Sequence, residues 1–173
     1  NAAALERVVA QAAGNAFYLE ELLRVLAAGE GGALPQTVLA MAQARLEGLG
    51  SDGRRLLRAA SIFGERFWRG GIVALGGASA HEVDARLFEL CEREVLVQRP
   101  ESAYADQVEY GFRHSLVAEA AYARLTDGDR ALGHRLAGAW LERAGETDAL
   151  LLGEHYERGG ERERAAAWYA RAA

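Results

Sequence analysis

The chain has 173 residues, half of them apolar, and a formal net charge of −5 at pH 7. This length and apolar content allow one ordinary domain, or two small ones, with a buried core. The negative charge argues against a generic nucleic-acid surface, because neutralising phosphates requires clustered positive charge.

Every one of the twenty basic side chains is an arginine, since the sequence contains no lysine. A phosphate-loop lysine, a Schiff-base lysine and the lysine of a kinase ATP site are therefore excluded within this chain. Cys91 is the single cysteine, so no internal disulfide can form. Its helical surroundings predict a buried structural thiol.

No apolar run approaches the roughly 18 residues that a membrane helix needs, and no signal-peptide pattern opens the chain. We therefore expect a cytoplasmic protein without membrane contact. The sequence begins and stops within helical patterns, so we also expect it to be part of a longer protein.

Apolar residues at helical spacing predict two short antiparallel helices over 2–13 and 17–28. A third helix is predicted to begin near Pro35, which suits a first helical position. Ser51 and Asp52 are predicted to cap a fourth helix. A short element around 67–75 follows. Ser79, with Glu82 three residues later, predicts a capping box for a further helix that runs to about residue 94.

The apolar spacing then changes to that of strands, over 95–99 and 108–113, which predicts one β-hairpin. Helical spacing resumes afterwards and continues to the end of the chain. Helices followed by a two-stranded hairpin and another helix are the plan of a winged helix. We predict a mainly α fold with a winged-helix domain at 33–127 and a connecting helix at 128–145.

The helix before the hairpin, over 79–94, takes the position of a recognition helix in this plan. It carries five carboxylates and two arginines: Glu82, Asp84, Glu89, Glu92, Glu94, Arg86 and Arg93. A helix with this balance repels a phosphate backbone. The sequence therefore favours a winged helix that packs against protein, and a DNA-binding winged helix is the rival hypothesis.

The end of the chain matches the tetratricopeptide pattern, a helix-turn-helix repeat of about 34 residues. The matching residues are Leu152, Gly153, Tyr156, Ala165, Tyr169 and Ala172. Ala149 stands where a tryptophan is usual. We assign 146–173 to a first, truncated repeat with its turn at Gly159 and Gly160, which begins an α-solenoid. Because one repeat cannot bury its apolar face alone, we expect further repeats and an unknown protein partner on them. The alternative is an ordinary amphipathic helical hairpin.

Two phrases carry a resemblance to a known class. Residues 14–23, GNAFYLEELL, resemble the GNPFYLEEL segment that closes the ATPase module of STAND signalling NTPases, with Ala16 in place of proline. Residues 112–122, FRHSLVAEAAY, resemble the FRHALLREALY segment of the winged helix that follows that module. The resemblance covers the chain in the order lid helices at 1–32, winged helix, connecting helix and tetratricopeptide repeat.

Within that class, residues 60–142 look most like large bacterial serine/threonine protein kinases, those of myxobacteria in particular, which carry a kinase domain, a STAND ATPase and repeats. The resemblance implies a regulatory segment that is not an enzyme and that couples the nucleotide state of an upstream ATPase to partner binding. ATP or ADP is implied for that upstream module and no cofactor for this chain. LuxR-type transcription regulators and adenylate cyclases share the middle module and are the alternative parents. The sequence lacks a phosphate-binding loop and the kinase HRD and DFG segments.

His114 lies between the second predicted strand and the next helix. In STAND relatives such as the apoptosome ATPases and plant resistance proteins, a histidine at this junction reaches the β-phosphate of ADP and holds the closed state. The resemblance implies the same nucleotide-sensing role for His114, with Ser115 in place of the aspartate often found beside it. The alternative is that His114 bonds a backbone carbonyl within the winged helix.

The remaining side chains predict no catalytic residue and no metal ion. His81, His134 and His155 are scattered without ligand spacing. Glu20 and Glu21 are predicted to solvate the outer face of their helix. Three residues are predicted to pack in the core or between helices: Trp68, Trp140 and Trp168.

Overall fold

The computed structural model describes residues 15–27 and 38–172, with side chains for 15–24 and 40–172. Within these ranges the fold is mainly helical, with nine helices and one small three-stranded antiparallel sheet. The helices are α1 (Ala16–Ala27), α2 (Val38–Glu47), α3 (Ser51–Ser61), α4 (Arg69–Gly76), α5 (Ala80–Glu92), α6 (Ser115–Ala123), α7 (Asp127–Ala144), α8 (Ala149–Arg158) and α9 (Arg162–Ala172). The strands are β1 (Arg66–Trp68), β2 (Leu96–Gln98) and β3 (Glu109–Phe112).

Helix α1 confirms the predicted helix over 17–28 to within one residue at each end. The predicted helix over 2–13 and the predicted start at Pro35 lie outside the described residues. Among the described residues, no helix is both long enough and apolar enough to cross a membrane.

The predicted caps have different outcomes. The capping box on α5 is confirmed: the backbone N–H of Glu82 donates to Ser79 Oγ, and the Glu82 carboxylate accepts from the backbone N–H of Ser79. The predicted cap of α3 is wrong, because its N-cap is Gly50 and no side chain bonds the first turn. Asp52 lies inside that turn, where its charge interacts favourably with the helix dipole.

The sheet contains the predicted hairpin and one strand more. Strands β2 and β3 pair antiparallel as predicted, and β1 pairs with the other side of β3, which gives the order β1-β3-β2. The prediction of a single two-stranded hairpin is therefore incomplete. Strand β1 has only three residues, and Phe67 and Trp68 are consecutive and both buried, so the sequence shows no alternation there.

The main core lies between helices α1 to α6 and the sheet. Helix α6 packs against α2 and α3, while α4 packs against α7. A second cluster joins the sheet to the C-terminal helices: the ring centroids of Trp68 and Trp140 are 5.7 Å apart, and Tyr104 lies 4.6 Å from Trp68. The predicted packing role of the tryptophans is confirmed, with Trp168 at the edge of this cluster.

The buried carboxylate of Glu109 holds the connection between β2 and β3. It accepts the indole N–H of Trp68 at 3.2 Å and the backbone N–H of Ala103 at 3.0 Å, and it pairs with Arg99 at 3.2 Å. Tyr104 in the same connection donates its hydroxyl to Glu146, at the turn between α7 and α8. Burial, and then this bond, raises the pKa of Tyr104, so the hydroxyl stays a donor.

Helices α8 and α9 form the predicted helical hairpin, with its turn at Gly159 and Gly160. A Cβ atom on Gly153 would lie 2.4 Å from the ring of Tyr169, so the absence of a side chain allows this close contact. Tyr156 is fully buried. The assignment of this hairpin to a tetratricopeptide repeat stays a prediction, as does the winged helix.

Candidate functional site

His114 is the N-cap residue of α6 and lies two residues after the end of β3. Its backbone is extended, with φ −134° and ψ 128°, and its side chain makes no capping bond. Its carbonyl accepts the N–H of Val117 at 3.1 Å. The imidazole is thus available for a contact outside its own helix.

That contact is made to α1. His114 Nε2 lies 3.2 Å from the Glu20 carboxylate, and the His114 ring centroid lies 4.7 Å from that of Phe17. Because a carboxylate only accepts, Nε2 carries the proton in this bond. The side chain is about one-fifth exposed. The alternative prediction, a bond to a backbone carbonyl, is not what the described residues form.

Further ion pairs surround this bond. Arg113 lies 3.9 Å from Glu20 and 3.5 Å from Glu94, and Arg24 of α1 lies 2.9 Å from Glu94. The charges alternate in sign along the contact, so each arginine lies beside a carboxylate. These pairs are substantially exposed, and each contributes at most about 1 kcal/mol.

Glu21 makes the buried part of the same contact. It is only 5% exposed and bonds to Arg45 of α2, whose guanidinium also donates to the carbonyl of Arg93 at 2.7 Å. The prediction that Glu21 solvates the outer face of α1 is therefore wrong. Glu21 follows the buried Phe17 by four residues, so both lie on one face of the helix, and this spacing could have revealed its burial.

We call this set of contacts the α1 clasp. Its members are Glu20, Glu21, Arg24, Arg45, Glu94, Arg113 and His114. The clasp holds α1 against α2 and against the open end of the β2–β3 hairpin, where Glu94 precedes β2 and Arg113 follows β3. Its groups can exchange one ionic partner for another, and none of them is arranged as a nucleophile with a base.

A cavity of about 590 Å³ begins one residue further along the chain, at Ser115. It lies between the C-terminal end of α3 and helices α6, α7 and α8, and His114 is not among its lining residues. Its two arginines are paired locally: Arg158 with Glu154 on α8, and Arg130 with Asp127 at 3.5 Å. Nothing in its lining assembles an activated nucleophile among the described residues.

The deep wall of this cavity carries a chain of three polar rings. Tyr122 Oη lies 3.0 Å from His134 Nε2, and His134 Nδ1 lies 3.1 Å from His155 Nδ1. The two histidines are 3% and 5% exposed. The structure thus brings together two of the three histidines that the sequence analysis described as scattered. They are almost equally far in sequence from Gly145, where α7 ends, so antiparallel pairing of α7 and α8 could have predicted the contact.

Both buried histidines are neutral near pH 7. Burial, and then the neighbouring His155 and Arg158, lowers the pKa of His134 to about 3. Burial and Arg158 lower the pKa of His155 to about 4. One Nδ1 atom donates to the other. If the Tyr122 hydroxyl donates to His134, then His134 donates to His155, and every proton in the chain has an acceptor except that on His155 Nε2.

No group of three or more His, Cys, Asp or Glu side chains in the described part of the chain could hold a metal ion. Cys91 is half-buried, and burial raises the pKa of its thiol. A raised thiol pKa disfavours the reactive thiolate.

The acidic helix α5 presents carboxylates and few free cations. Arg86 bonds to Glu89 at 2.7 Å and lies 3.4 Å from Asp52, and Arg93 lies 3.1 Å from Glu89. Phe88 is 69% exposed on the same helix. Both arginines that the sequence analysis counted are therefore already paired with carboxylates of this chain.

Comparison with known proteins gives no relative: no family model matches the chain, and no curated protein and no solved structure matches it. The resemblance to STAND proteins stays a prediction.

Proposed function

We propose that this chain is a non-catalytic regulatory and protein-interaction segment of a multidomain bacterial signalling protein with an upstream STAND ATPase. One observation carries the proposal. The two phrases on which the resemblance rests are in direct contact, because Phe17 and Glu20 from GNAFYLEELL both touch His114 from FRHSLVAEAAY. Two motifs 94 residues apart thus meet at one junction.

The topology supports a winged helix between these motifs. Helix α3 is followed by a strand, two helices and a hairpin, and the hairpin strand β3 lies in the middle of the sheet. The paired arginines of α5 support a protein-packing role for this domain, since a phosphate backbone would meet carboxylates there.

The clasp suggests how nucleotide state is coupled to α1. In this structure the N–H at His114 Nε2 donates a hydrogen bond to the Glu20 carboxylate. A nucleotide phosphate is also an anionic acceptor, so it competes with Glu20 for the same N–H. ADP in the upstream module would take His114 from Glu20 and loosen one end of α1. The equilibrium between the state with His114 bonded to Glu20 and the state with His114 bonded to the phosphate shifts by the difference in free energy between the two hydrogen bonds.

The partner-binding part of the proposal concerns α8 and α9. This helical hairpin is joined to the sheet through Trp140, Trp68 and the bond from Tyr104 to Glu146. A partner that binds the hairpin can therefore bias the position of β3, which ends beside His114.

The test uses the longer parent protein that includes the ATPase module, with ADP affinity as the readout. We expect His114→Ala to weaken ADP retention by roughly tenfold, the value of about one charge-assisted hydrogen bond. We expect Glu20→Gln to strengthen ADP binding a few-fold, because the charged competitor is gone. The control is Glu101→Gln, an exposed change in the β2–β3 connection, which should leave the ADP affinity unchanged.

If His114→Ala leaves both ADP retention and basal activity unchanged, the sensor role is wrong. A salt-dependent affinity of this chain for duplex DNA would instead favour the transcription-regulator alternative.

A further inference from the structure

A groove crosses the surface of α3. One part, of about 390 Å³, lies between α3, α4 and α5, and a second, of about 240 Å³, lies between α3, α4 and α7. Arg55, Ala59 and Gly76 line both parts, so the two are joined over the middle of α3. We call the whole the α3 groove.

Much of the groove lining is apolar. Leu56, Ile72 and Val83 form the inner wall of the first part. Leu132 and Leu136 line the second part, one helical turn apart on α7, and they are 48% and 36% exposed. Large aliphatic side chains at this spacing, beside a concave surface, are the pattern of a helix-binding groove.

The charged groups of the groove are unequal in their pairing. Its carboxylates have partners within the chain: Asp52 pairs with Arg86, Glu82 bonds to Ser79, and Asp129 accepts from the Thr126 hydroxyl. Among the described residues, the guanidinium groups of Arg55 and Arg58 form no hydrogen bond and no ion pair within 4 Å, and the charge of Arg55 acts on Glu82 only at longer range.

Arg54, which directly precedes Arg55 in sequence, differs in this respect. Its guanidinium donates to the carbonyls of Glu47 and Leu49. Arg55 and Arg58 are one turn apart on α3 and both line the second part of the groove. The groove lining holds as many arginines as carboxylates, and Arg55 and Arg58 differ from the rest in that their guanidinium N–H groups have no hydrogen-bond acceptor among the described residues.

We infer that the α3 groove binds an amphipathic helix of a protein partner, which places leucine-type side chains against Leu132 and Leu136 and carboxylates against Arg55 and Arg58. The groove is lined by helices, so its occupant finds side chains and no strand edge to extend. Two arginines one turn apart select acidic residues at the same spacing on the partner. A nucleic acid would bring no apolar face to these leucines.

This surface is separate from the repeat-type hairpin to which the proposed function assigns partner binding, and the inference does not rest on the proposed function. Its test uses no nucleotide. A negative result for the groove therefore does not contradict the proposed function, and a negative result for ADP sensing does not contradict the groove.

The experiment measures binding of two fluorescein-labelled synthetic peptides to this chain by fluorescence anisotropy. Both peptides have about four helical turns and a leucine stripe at one-turn spacing, flanked by glutamates in one and by arginines in the other. We expect the acidic peptide to bind with a Kd on the order of micromolar, the arginine peptide at least tenfold more weakly, and added salt to reduce the difference.

Matched variants locate the site. Arg55→Glu with Arg58→Glu should weaken the acidic peptide at least tenfold, and Leu132→Ser with Leu136→Ser should do the same without changing charge. Arg143→Glu with Arg162→Glu is the control, because both arginines are exposed, lie outside the groove and give the same change in net charge. Circular dichroism checks that each variant is folded.

Three outcomes overturn the inference: no binding of the acidic peptide at roughly millimolar concentration, equal binding of the two peptides, or equal weakening by the groove pair and the control pair. Duplex DNA binding that is lost on Arg55→Glu with Arg58→Glu, in the absence of peptide binding, would assign the groove to nucleic acid instead.

Discussion

The α1 clasp and the contact between α7 and α8 both depend on histidine, and they use it in opposite ways. In the clasp, His114 is partly exposed and its partner is a carboxylate. Between α7 and α8, His134 and His155 are buried and neutral, and neither bonds to a carboxylate of the described residues. In the clasp, His114 can exchange one anionic partner for another without unfolding of the chain. The contact between α7 and α8 depends on packing and on both of its histidines remaining uncharged.

The largest expected effect comes from removing packing beside the buried contact. Trp140→Ala deletes a ring that touches Trp68, Tyr104 and Phe63, so we expect a loss of about 3–5 kcal/mol in the free energy of unfolding. Urea unfolding followed by circular dichroism measures it. Trp140→Phe keeps an aromatic ring and should lose clearly less. Equal losses for both variants would mean that the ring contacts contribute little.

An effect of similar size is expected from pH. The pKa values of His134 and His155 are lower in the folded chain than the ordinary value near 6.5, so the unfolded chain binds more protons between about pH 4 and 6.5. The contribution of the pair to stability is therefore full above about pH 6.5 and falls as the pH drops below it, by about 5 kcal/mol at pH 4.5.

The pH dependence is measured as urea midpoints from pH 7.5 to 4.5. The matched variant replaces both histidines, His134→Gln with His155→Gln. Between pH 6.5 and 4.5 its free energy of unfolding should fall less than that of the unchanged chain, by about the amount given above. The same slope in both proteins would contradict a neutral buried pair.

The smallest effect is expected at the exposed edge of the clasp. Arg24→Gln breaks an ion pair with Glu94 whose two side chains are about half exposed, so we expect less than about 1 kcal/mol. Hydrogen exchange should become faster in α1 and stay unchanged in α7 and α8. Uniformly faster exchange would show that the clasp and the buried contact unfold together.

The features predictable from the sequence are those with a local signal. The capping box of α5 needs only Ser79 and Glu82 at the right spacing. The hairpin of α8 and α9 follows from helical periodicity and a glycine pair. Both are confirmed, because short-range geometry alone determines them.

The features that were missed depend on distant residues. Strand β1 exists because β3 offers it an edge, and its three residues are too few for a periodic signal. The burial of Glu21 depends on Arg45 of another helix, although its spacing from Phe17 was a usable signal. At the candidate site, the sequence identified His114 from a resemblance alone, and Glu20 as its partner came only from the structure.

The bond from Tyr104 to Glu146 has a mechanical consequence. It fastens the β2–β3 connection to the turn at the end of α7, and the carboxylate of Glu109 fastens the same connection to the sheet. Tension applied at the C-terminal helices is then carried by side-chain bonds and stacked rings, and not by the backbone between α6 and α7 alone. A force on α9 would therefore be transmitted to β3 and to His114, two residues beyond the end of that strand.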